Sequence, residues 1–212
     1  MPESPPPRGP GRSLRIYLVR HGQSEWQLNP GDDLDMPLSA LGHEQAALLA
    51  DWCARRAPLD AGSRFDVGPL RTSPLRRARQ TAAPLAAALG AGVDTQPSLS
   101  EAPYRVIGEL PRADTPLTPP VGEVSARYRE FRRQVRGALA ELVESADGSG
   151  RPVLAVTHGG VIKTVLRVVA GTDAFCARLY NCGITALDWK EGIWRVAHVN
   201  LWDHLPPALR TT

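Results

Sequence analysis

Two histidines stand at the ends of short apolar, β-branched runs, and each is followed by glycine. His21 ends the segment that begins at Leu14, and His158 ends the segment that begins at Pro152. Such runs predict buried strands, and ligands of open α/β sheets bind beyond the carboxyl ends of the strands. Gly159–Gly160 also precedes a predicted helix, whose N-terminus would attract an anion. The pattern predicts a ligand site, although two core histidines with backbone partners would also fit it.

A zinc site is the metal-dependent alternative at this place. His21, His158 and a carboxylate would supply three protein ligands, which is a catalytic zinc pattern. Arg20 precedes the first histidine, and a neighbouring positive charge disfavours a bound cation. We therefore expect neither a metal nor another cofactor.

The elements expected around the histidines alternate between strands and helices. Strands are predicted over 14–19, 66–72, 93–96, 152–157, 184–189 and 194–199. Helices are predicted from the cap Ser39 to about 56, from the cap Ser73 and Pro74 to 89, over 122–144 and over 161–170. This alternation predicts an α/β fold, a three-layer α/β/α sandwich with a mostly parallel central sheet.

The size and composition of the chain predict one globular domain. Of its 212 residues, 42% are hydrophobic and 22% charged, which suffices for a substantial core. Residues 1–13 hold five prolines and two glycines, which predicts a flexible Pro-rich tail. Residues 14–212 then form a single domain with a small, proline-rich insertion at about 102–121.

The positive charge of the chain is small and is carried almost wholly by arginine. There are 23 Arg and two Lys against 22 acidic residues, a net charge of +3. Several arginines lie on the predicted helix over 122–144, but they surround it, and glutamates interleave with them. A solvated helix face is therefore favoured over nucleic-acid binding. These arginines are Arg127, Arg129, Arg132, Arg133 and Arg136.

The compartment is predicted from what the sequence lacks. No run approaches the ~18 apolar residues of a membrane span, and the N-terminus has no apolar signal-peptide segment. The three cysteines, Cys53, Cys176 and Cys182, are odd in number and scattered, which argues against a disulfide framework. We expect a cytoplasmic protein with no membrane partner.

Five blocks of the chain resemble, in the same order, signature blocks of the histidine phosphatase superfamily, also called the phosphoglycerate mutase-like family. The resemblance spans about Leu14 to Leu205. The blocks are Arg20-His21-Gly22, Asp35-Met36-Pro37-Leu38-Ser39 with Gly42, Gln45 and Ala46, then Thr72–Ala82, Leu99-Ser100-Glu101 and Val156-Thr157-His158-Gly159-Gly160.

The resemblance implies metal-independent chemistry on a phosphate ester, through phosphohistidine. His21 would attack phosphorus as the nucleophile. Arg20, Arg77 and a protonated His158 would hold the phosphoryl oxygens, because phosphoryl transfer depends mostly on positioning and charge neutralisation. Glu101 would protonate the leaving oxygen and then activate water.

Other assignments follow from the same resemblance. The backbone of Gly159 would contact the substrate. Gln27 stands where the family usually has an asparagine that contacts the phosphate, and its longer amide can still donate an N–H. Arg77 is chosen over Arg76 and Arg79 by the resemblance alone, because helical periodicity does not separate them. The family's usual spacing after its acidic residue is not reproduced, which leaves the substrate open.

The expected function is hydrolysis of a small phosphorylated metabolite by a phosphomonoesterase of the histidine acid type. A phosphoglycerate mutase is the first alternative, but the mutases that the chain resembles tend to be longer, with a larger insertion. A non-catalytic member that binds phosphorylated ligands is the second, and the presence of every expected reacting residue argues against it. The natural substrate and the oligomeric state stay open.

Overall fold

A six-stranded sheet forms the centre of the structure, a computed structural model that describes residues 13–60, 62–115 and 117–212. Its strands are β1 (Ser13–Arg20), β2 (Leu70–Thr72), β3 (Val93–Thr95), β4 (Val153–Thr157), β5 (Ile184–Lys190) and β6 (Ile193–Leu201). The strand order is β3-β2-β4-β1-β5-β6. The first four strands are parallel, and β5 runs antiparallel to both of its neighbours.

Helices cover both faces of this sheet. They are α1 (Glu25–Leu28), α2 (Ala40–Arg55), α3 (Arg76–Leu89), α4 (Ala126–Glu144) and α5 (Gly159–Ala170). Alternate residues of β1 enter different cores: Ile16 and Leu18 pack with α4 and α5, whereas Tyr17 and Val19 pack with α2 and α3. The predicted three-layer α/β/α sandwich with a mostly parallel sheet is confirmed.

Several element boundaries differ from the sequence prediction. The strand expected over 66–72 is reduced to β2, because Pro69 has no N–H to donate to a neighbouring strand. Helix α4 begins at Ala126 instead of 122, after the cap Ser125, whose hydroxyl accepts from the N–H of Tyr128 at 3.2 Å. Gly122 has φ +105°, which is not helical. The single-turn α1 was not predicted, since four residues are too short for a periodic signal.

Two boundaries bear directly on the histidine segments. Helix α3 begins at Arg76 and continues through Pro84, and Leu75, not Ser73, holds the cap position. Helix α5 begins at Gly159, so the glycine pair forms its first turn instead of a turn before it. The predicted tail over 1–13 lies outside the described residues except for Ser13, which starts β1.

Candidate active site

His21 follows β1, and the hydrogen bonds of its ring decide which nitrogen carries the proton. Nδ1 lies 2.6 Å from the carbonyl oxygen of Gly22, which can only accept. Nε2 lies 3.2 Å from Nε of Arg77, whose N–H can only donate. The imidazole is therefore held with its proton on Nδ1 and its lone pair on Nε2.

His158 follows β4 and lies beside His21, because β1 and β4 are parallel neighbours with Arg20 opposite Thr157. The two imidazole centroids are 5.1 Å apart. Nε2 of His158 shares a 2.7 Å hydrogen bond with the hydroxyl of Ser73, which follows the adjacent strand β2. Three neighbouring strands thus deliver side chains to one point at their carboxyl ends, as the sequence predicted for the two histidines.

Two guanidinium groups lie at the same point. Arg20 ends β1 and donates from Nη1 to the carbonyl of Leu179 at 2.6 Å. Arg77, in the first turn of α3, is buried, whereas Arg76 and Arg79 are exposed. The tertiary structure therefore separates the three arginines that helical periodicity could not.

Burial lowers the pKa of both arginines. It lowers the pKa of Arg20 to about 10, against the opposing effect of the Glu101 carboxylate. It also lowers the pKa of Arg77, again opposed by Glu101. Both guanidinium groups remain cations at neutral pH.

The Glu101 carboxylate lies against the first turn of α5. Oε2 accepts from the N–H of Gly160 at 2.8 Å, and Oε1 accepts from the N–H of Ala102 at 3.0 Å. A Cβ on Gly160 would lie only 2.2 Å from Oε1, so only glycine leaves room for the carboxylate. Burial raises the pKa of Glu101, and the two backbone hydrogen bonds and the arginines oppose that rise. The group therefore holds a proton more readily than an exposed glutamate.

The protonation of both histidines follows from their surroundings. Burial, then the charges of Arg77 and Arg20, lower the pKa of His21 well below 6.5. Burial, then His21 and the same arginines, lower the pKa of His158 likewise. A neutral His21 suits a nucleophile. At His158 the protein groups favour the neutral ring, in contrast to the imidazolium that the resemblance implied.

Two buried polar atoms of this cluster lack a hydrogen-bond partner within the described ranges. They are Nε of Arg20 and Nδ1 of His158. An unsatisfied buried polar group costs about 1–3 kcal/mol. One of these atoms belongs to the Arg20 cation and the other lies close to it, so an oxyanion could accept a hydrogen bond there.

Gly159 and Gln27 were also expected to contact the substrate, and the structure separates them. Gly159 lies at the cluster, since a Cβ there would come within 3.4 Å of Nε of Arg20. Gln27 hydrogen-bonds to Ser24 and to Asn181, which itself donates to the carbonyl of His21. Its Oε1 accepts from the N–H of Ser24 and from Asn181 Nδ2, each at 3.1 Å. Its Nε2 also donates to Asn181, at 3.1 Å, and the contact of Gln27 with a phosphate stays a prediction.

Positioning residues are what sequence reasoning missed. Asn181 is fully buried and donates from Nδ2 to the carbonyl of His21 at 2.9 Å. Ser73, predicted as a helix cap, holds His158 instead. Gln134 on α4 donates to two carbonyls of the segment 98–100, each at 3.0 Å, and so fixes the loop that carries Glu101. None of these contacts has a periodic signal, because each partner is far away in sequence.

The comparison with family models decides the classification. The model of the histidine phosphatase superfamily (branch 1) matches residues 16–201. The chain belongs to this superfamily. Among curated relatives of this histidine phosphatase is a protein of Yersinia enterocolitica named "Probable phosphoglycerate mutase GpmB". It is 30% identical over 204 residues, which cover 85% of the chain and 87% of the relative.

Solved structures with a similar fold include two named phosphatases. A mycobacterial glucosyl-3-phosphoglycerate phosphatase superposes with a TM-score of 0.64 at 26% identity, over 89% of this chain and 99% of its own. A phosphoserine phosphatase from Entamoeba histolytica, in complex with 3-phosphoglyceric acid, gives a TM-score of 0.66 at 21% identity, over 91% and 100%. The second likeness shows the fold alone.

A cavity of about 410 Å³ opens beside this cluster. Arg77, Glu101 and Gly160 lie on its wall. The segment predicted as an insertion at about 102–121 contributes the continuous stretch from Ala102 to Ile107 to the lining. A ligand in the cavity would therefore touch both Arg77 and Glu101 and the part of the chain that departs from the family pattern.

Proposed function

We propose that this histidine phosphatase is a phosphomonoesterase that hydrolyses a small phosphorylated metabolite through a phosphohistidine at Nε2 of His21. One observation carries the proposal. The ring is fixed with its proton on the carbonyl side and its lone pair toward Arg77, at 3.2 Å, inside a cluster that also holds Arg20. This is a neutral nucleophile surrounded by the cations that a phosphoryl group requires.

The first half-reaction breaks the bond between phosphorus and the ester oxygen. Nε2 of His21 forms a bond to phosphorus as the P–O bond breaks, and Glu101 gives its proton to the leaving alcohol. The N–H of Arg77 that donates to Nε2 keeps its proton and turns its hydrogen bond to a phosphoryl oxygen. Arg20 and His158 donate hydrogen bonds to the other phosphoryl oxygens. A phosphoryl dianion beside His158 would raise the pKa of that imidazole and favour its protonated form.

The second half-reaction regenerates the enzyme. The Glu101 carboxylate takes a proton from water, the water oxygen bonds to phosphorus, and the bond between phosphorus and Nε2 breaks. Orthophosphate leaves, and His21 returns to its neutral form. The raised pKa of Glu101 suits a group that must give and take a proton in one cycle.

The electrostatics of α4 support a small-molecule substrate over a nucleic acid. Four of the five arginines of this helix are engaged with carboxylates: Arg127 with Glu109, Arg129 with Glu123, Arg132 with Asp173 and Arg133 with Glu130. Arginines already paired in this way offer little surplus charge to phosphates of a duplex.

We propose a cytoplasmic location as well. Cys53, Cys176 and Cys182 are all free thiols, which fits a reducing compartment. Within the described ranges, no helix is long and apolar enough to cross a membrane.

A panel of phosphate esters tests the proposed reaction. Purified protein is expected to release orthophosphate, and His21→Ala to release none. His43→Ala, which removes an exposed histidine of α2, is the matched control and should keep full activity. A phosphoenzyme that is stable in alkali and labile in acid should form with the wild-type chain only.

Phosphoglycerate mutase activity is the second candidate, favoured by the name of the Yersinia enterocolitica relative. Phosphorus NMR of phosphoglycerate mixtures separates the two reactions. Interconversion of phosphoglycerates without orthophosphate release would show a mutase instead of a phosphatase. Tight ligand binding with no turnover of any ester would show a non-catalytic binding protein instead.

A further inference from the structure

The peptide unit that joins Gly22 to Gln23 controls the protonation of the His21 ring. Its carbonyl oxygen, which belongs to Gly22, lies 2.6 Å from Nδ1 of His21. A Cβ on Gly22 would lie 2.5 Å from the carbonyl oxygen of Gly42, so this position admits only glycine. Because glycine restricts the backbone least, the direction of this carbonyl depends on contacts from elsewhere in the chain.

Gln45, on α2, holds the other end of the same peptide unit. Its Oε1 accepts from the N–H of Gln23 at 2.8 Å. The N–H and the carbonyl of a planar trans peptide unit point in opposite directions, so holding the N–H also directs the carbonyl of Gly22. Gln45 is fully buried, and its amide orientation is unambiguous because Nε2 donates to the carbonyl of Leu209 at 2.7 Å.

Thr211 connects Gln45 to Asn181. The Thr211 hydroxyl accepts from Nε2 of Gln45 at 2.9 Å and donates to Oδ1 of Asn181 at 3.0 Å. The backbone carbonyl of Thr211 also accepts from the N–H of Asn181 at 2.9 Å. Since Nδ2 of Asn181 donates to the carbonyl of His21 at 2.9 Å, these contacts form a closed series of hydrogen bonds around residues 21–23.

The donors of this series all point the same way. It runs from the N–H of Gln23 through three side chains to the carbonyl of His21. Hydrogen bonds that follow one another in this way polarise each other, by about 10–30% per bond. The Thr211 hydroxyl stands at the midpoint, where it both accepts and donates. Its loss therefore interrupts the whole series and weakens the contacts on both sides of His21.

We propose that Gln45 and Thr211 are positioning residues, which keep the proton of His21 on Nδ1 by holding the carbonyl of Gly22 against that nitrogen. The other tautomer carries its proton on Nε2, where no lone pair would then be free to attack phosphorus. The use of that lone pair rests on the proposed phosphatase function, whereas the choice of tautomer does not.

A single methyl-for-hydroxyl exchange tests the role of Thr211 in catalysis. Thr211→Val should reduce kcat on an alkyl phosphate about three- to tenfold, the effect of one lost hydrogen bond. The KM should stay within about twofold, because Arg20 and Arg77 keep their contacts. Thr211→Ser keeps the hydroxyl and should restore the wild-type kcat. Thr212→Val makes the same exchange at the exposed neighbouring residue and should change neither constant.

Gln45→Leu tests the other positioning residue. It removes the contact with the N–H of Gln23 itself, so kcat should fall further than in Thr211→Val. Thermal unfolding is recorded for both variants, because Gln45 is buried and Thr211 is half-buried. In Thr211→Val the fold should persist, since Gln45 keeps its bond to the carbonyl of Leu209 and Asn181 keeps its bond to Nε2 of Gln27.

Nitrogen-15 NMR of histidine-labelled protein at neutral pH reads the tautomer directly, and His21→Ala identifies the signals of His21. Wild-type protein and Thr211→Ser should show a protonated Nδ1 and an unprotonated Nε2. In Thr211→Val the two signals should move toward each other, because the tautomers mix. A wild-type kcat in Thr211→Val would overturn the proposal. So would a loss of kcat with unchanged ring signals, which would show a merely structural role.

The same spectra separate this inference from the proposed function. If the wild-type chain releases no orthophosphate from any ester, while Thr211→Val still moves the His21 signals, the function fails and the positioning role stands. Unmoved signals in an active enzyme would reject the positioning role and leave the function in place.

Discussion

Replacing Gly160 by alanine should disable Glu101 while leaving the phosphoryl ligands in place. The added Cβ would lie 2.2 Å from Oε1 and 2.9 Å from the carboxyl carbon of Glu101, where ordinary contact begins at 3.4 Å. The carboxylate must therefore move by about 1 Å or more, and a misplacement of that size can cost about 10²-fold in rate. The three atoms nearest to this Cβ all belong to Glu101.

The expected result is a fall in kcat of about 10²-fold or more for an alkyl phosphate, within the 10²–10⁴-fold range of general acid–base catalysis. The fall should be smaller for 4-nitrophenyl phosphate, whose leaving group needs little protonation. Gly137→Ala is the matched control: it is also in a helix, and its Cβ meets nothing within 4 Å. Both variants should remain folded, since alanine favours a helix by about 0.5–1 kcal/mol over glycine.

A kcat on alkyl phosphates within about threefold of the wild-type value would refute this reasoning. A double variant sharpens the test. If Gly160→Ala acts only through Glu101, then adding it to Glu101→Gln should cause no further loss, because two changes to one group are not additive. A further large loss would place Gly160 in another role.

Three more predictions follow from buried groups. The kcat/KM should fall at high pH, because Glu101, whose pKa is raised, loses its proton there. It should also fall at low pH, because His21, whose pKa lies well below 6.5, becomes protonated. A Glu101→Gln variant whose pH–rate profile still fell at high pH would contradict the assignment to Glu101. Burial lowers the pKa of His204 to about 4. As the pH is lowered from 6.5 to about 4, His204 is therefore protonated in the unfolded chain but not in the folded one, and the free energy of unfolding should decrease. Urea unfolding should show that His204→Phe removes this contribution, and an unchanged pH dependence would disprove it. Ser73→Ala leaves His158 Nε2 without its 2.7 Å partner and should cost about 1–3 kcal/mol of stability by urea unfolding, so a neutral effect would count against that hydrogen bond.

The two histidines illustrate what a sequence can predict. Each follows a β-branched run, and parallel strands end at the same edge of a sheet, so their convergence followed from strand order and polarity. The sandwich architecture was predictable for the same reason, because alternating strands and helices leave few ways to bury both faces of a sheet. Element ends were less predictable, since Ser73 and Ser125 are equally good caps in isolation and only Ser125 caps a helix.

The site beyond the histidines depended on contacts between distant segments. Gln27 stands where the family usually has an asparagine, and only the folded chain shows that its amide pairs with that of Asn181, 154 residues away. Lys163 and Arg167 look like ordinary polar positions of an amphipathic helix. Only the tertiary structure places both residues on the wall of the cavity.

The sequence by itself determined the fold and the family, because these follow from local patterns of apolar residues and from short motifs, and its motifs also support the proposal of His21 as the nucleophile. Only the tertiary structure decided that Arg77, and not Arg76 or Arg79, is buried against His21. It also decided which nitrogen of the His21 ring carries no proton. These properties depend on which groups lose water together, and that is settled by the packing of segments far apart in the chain.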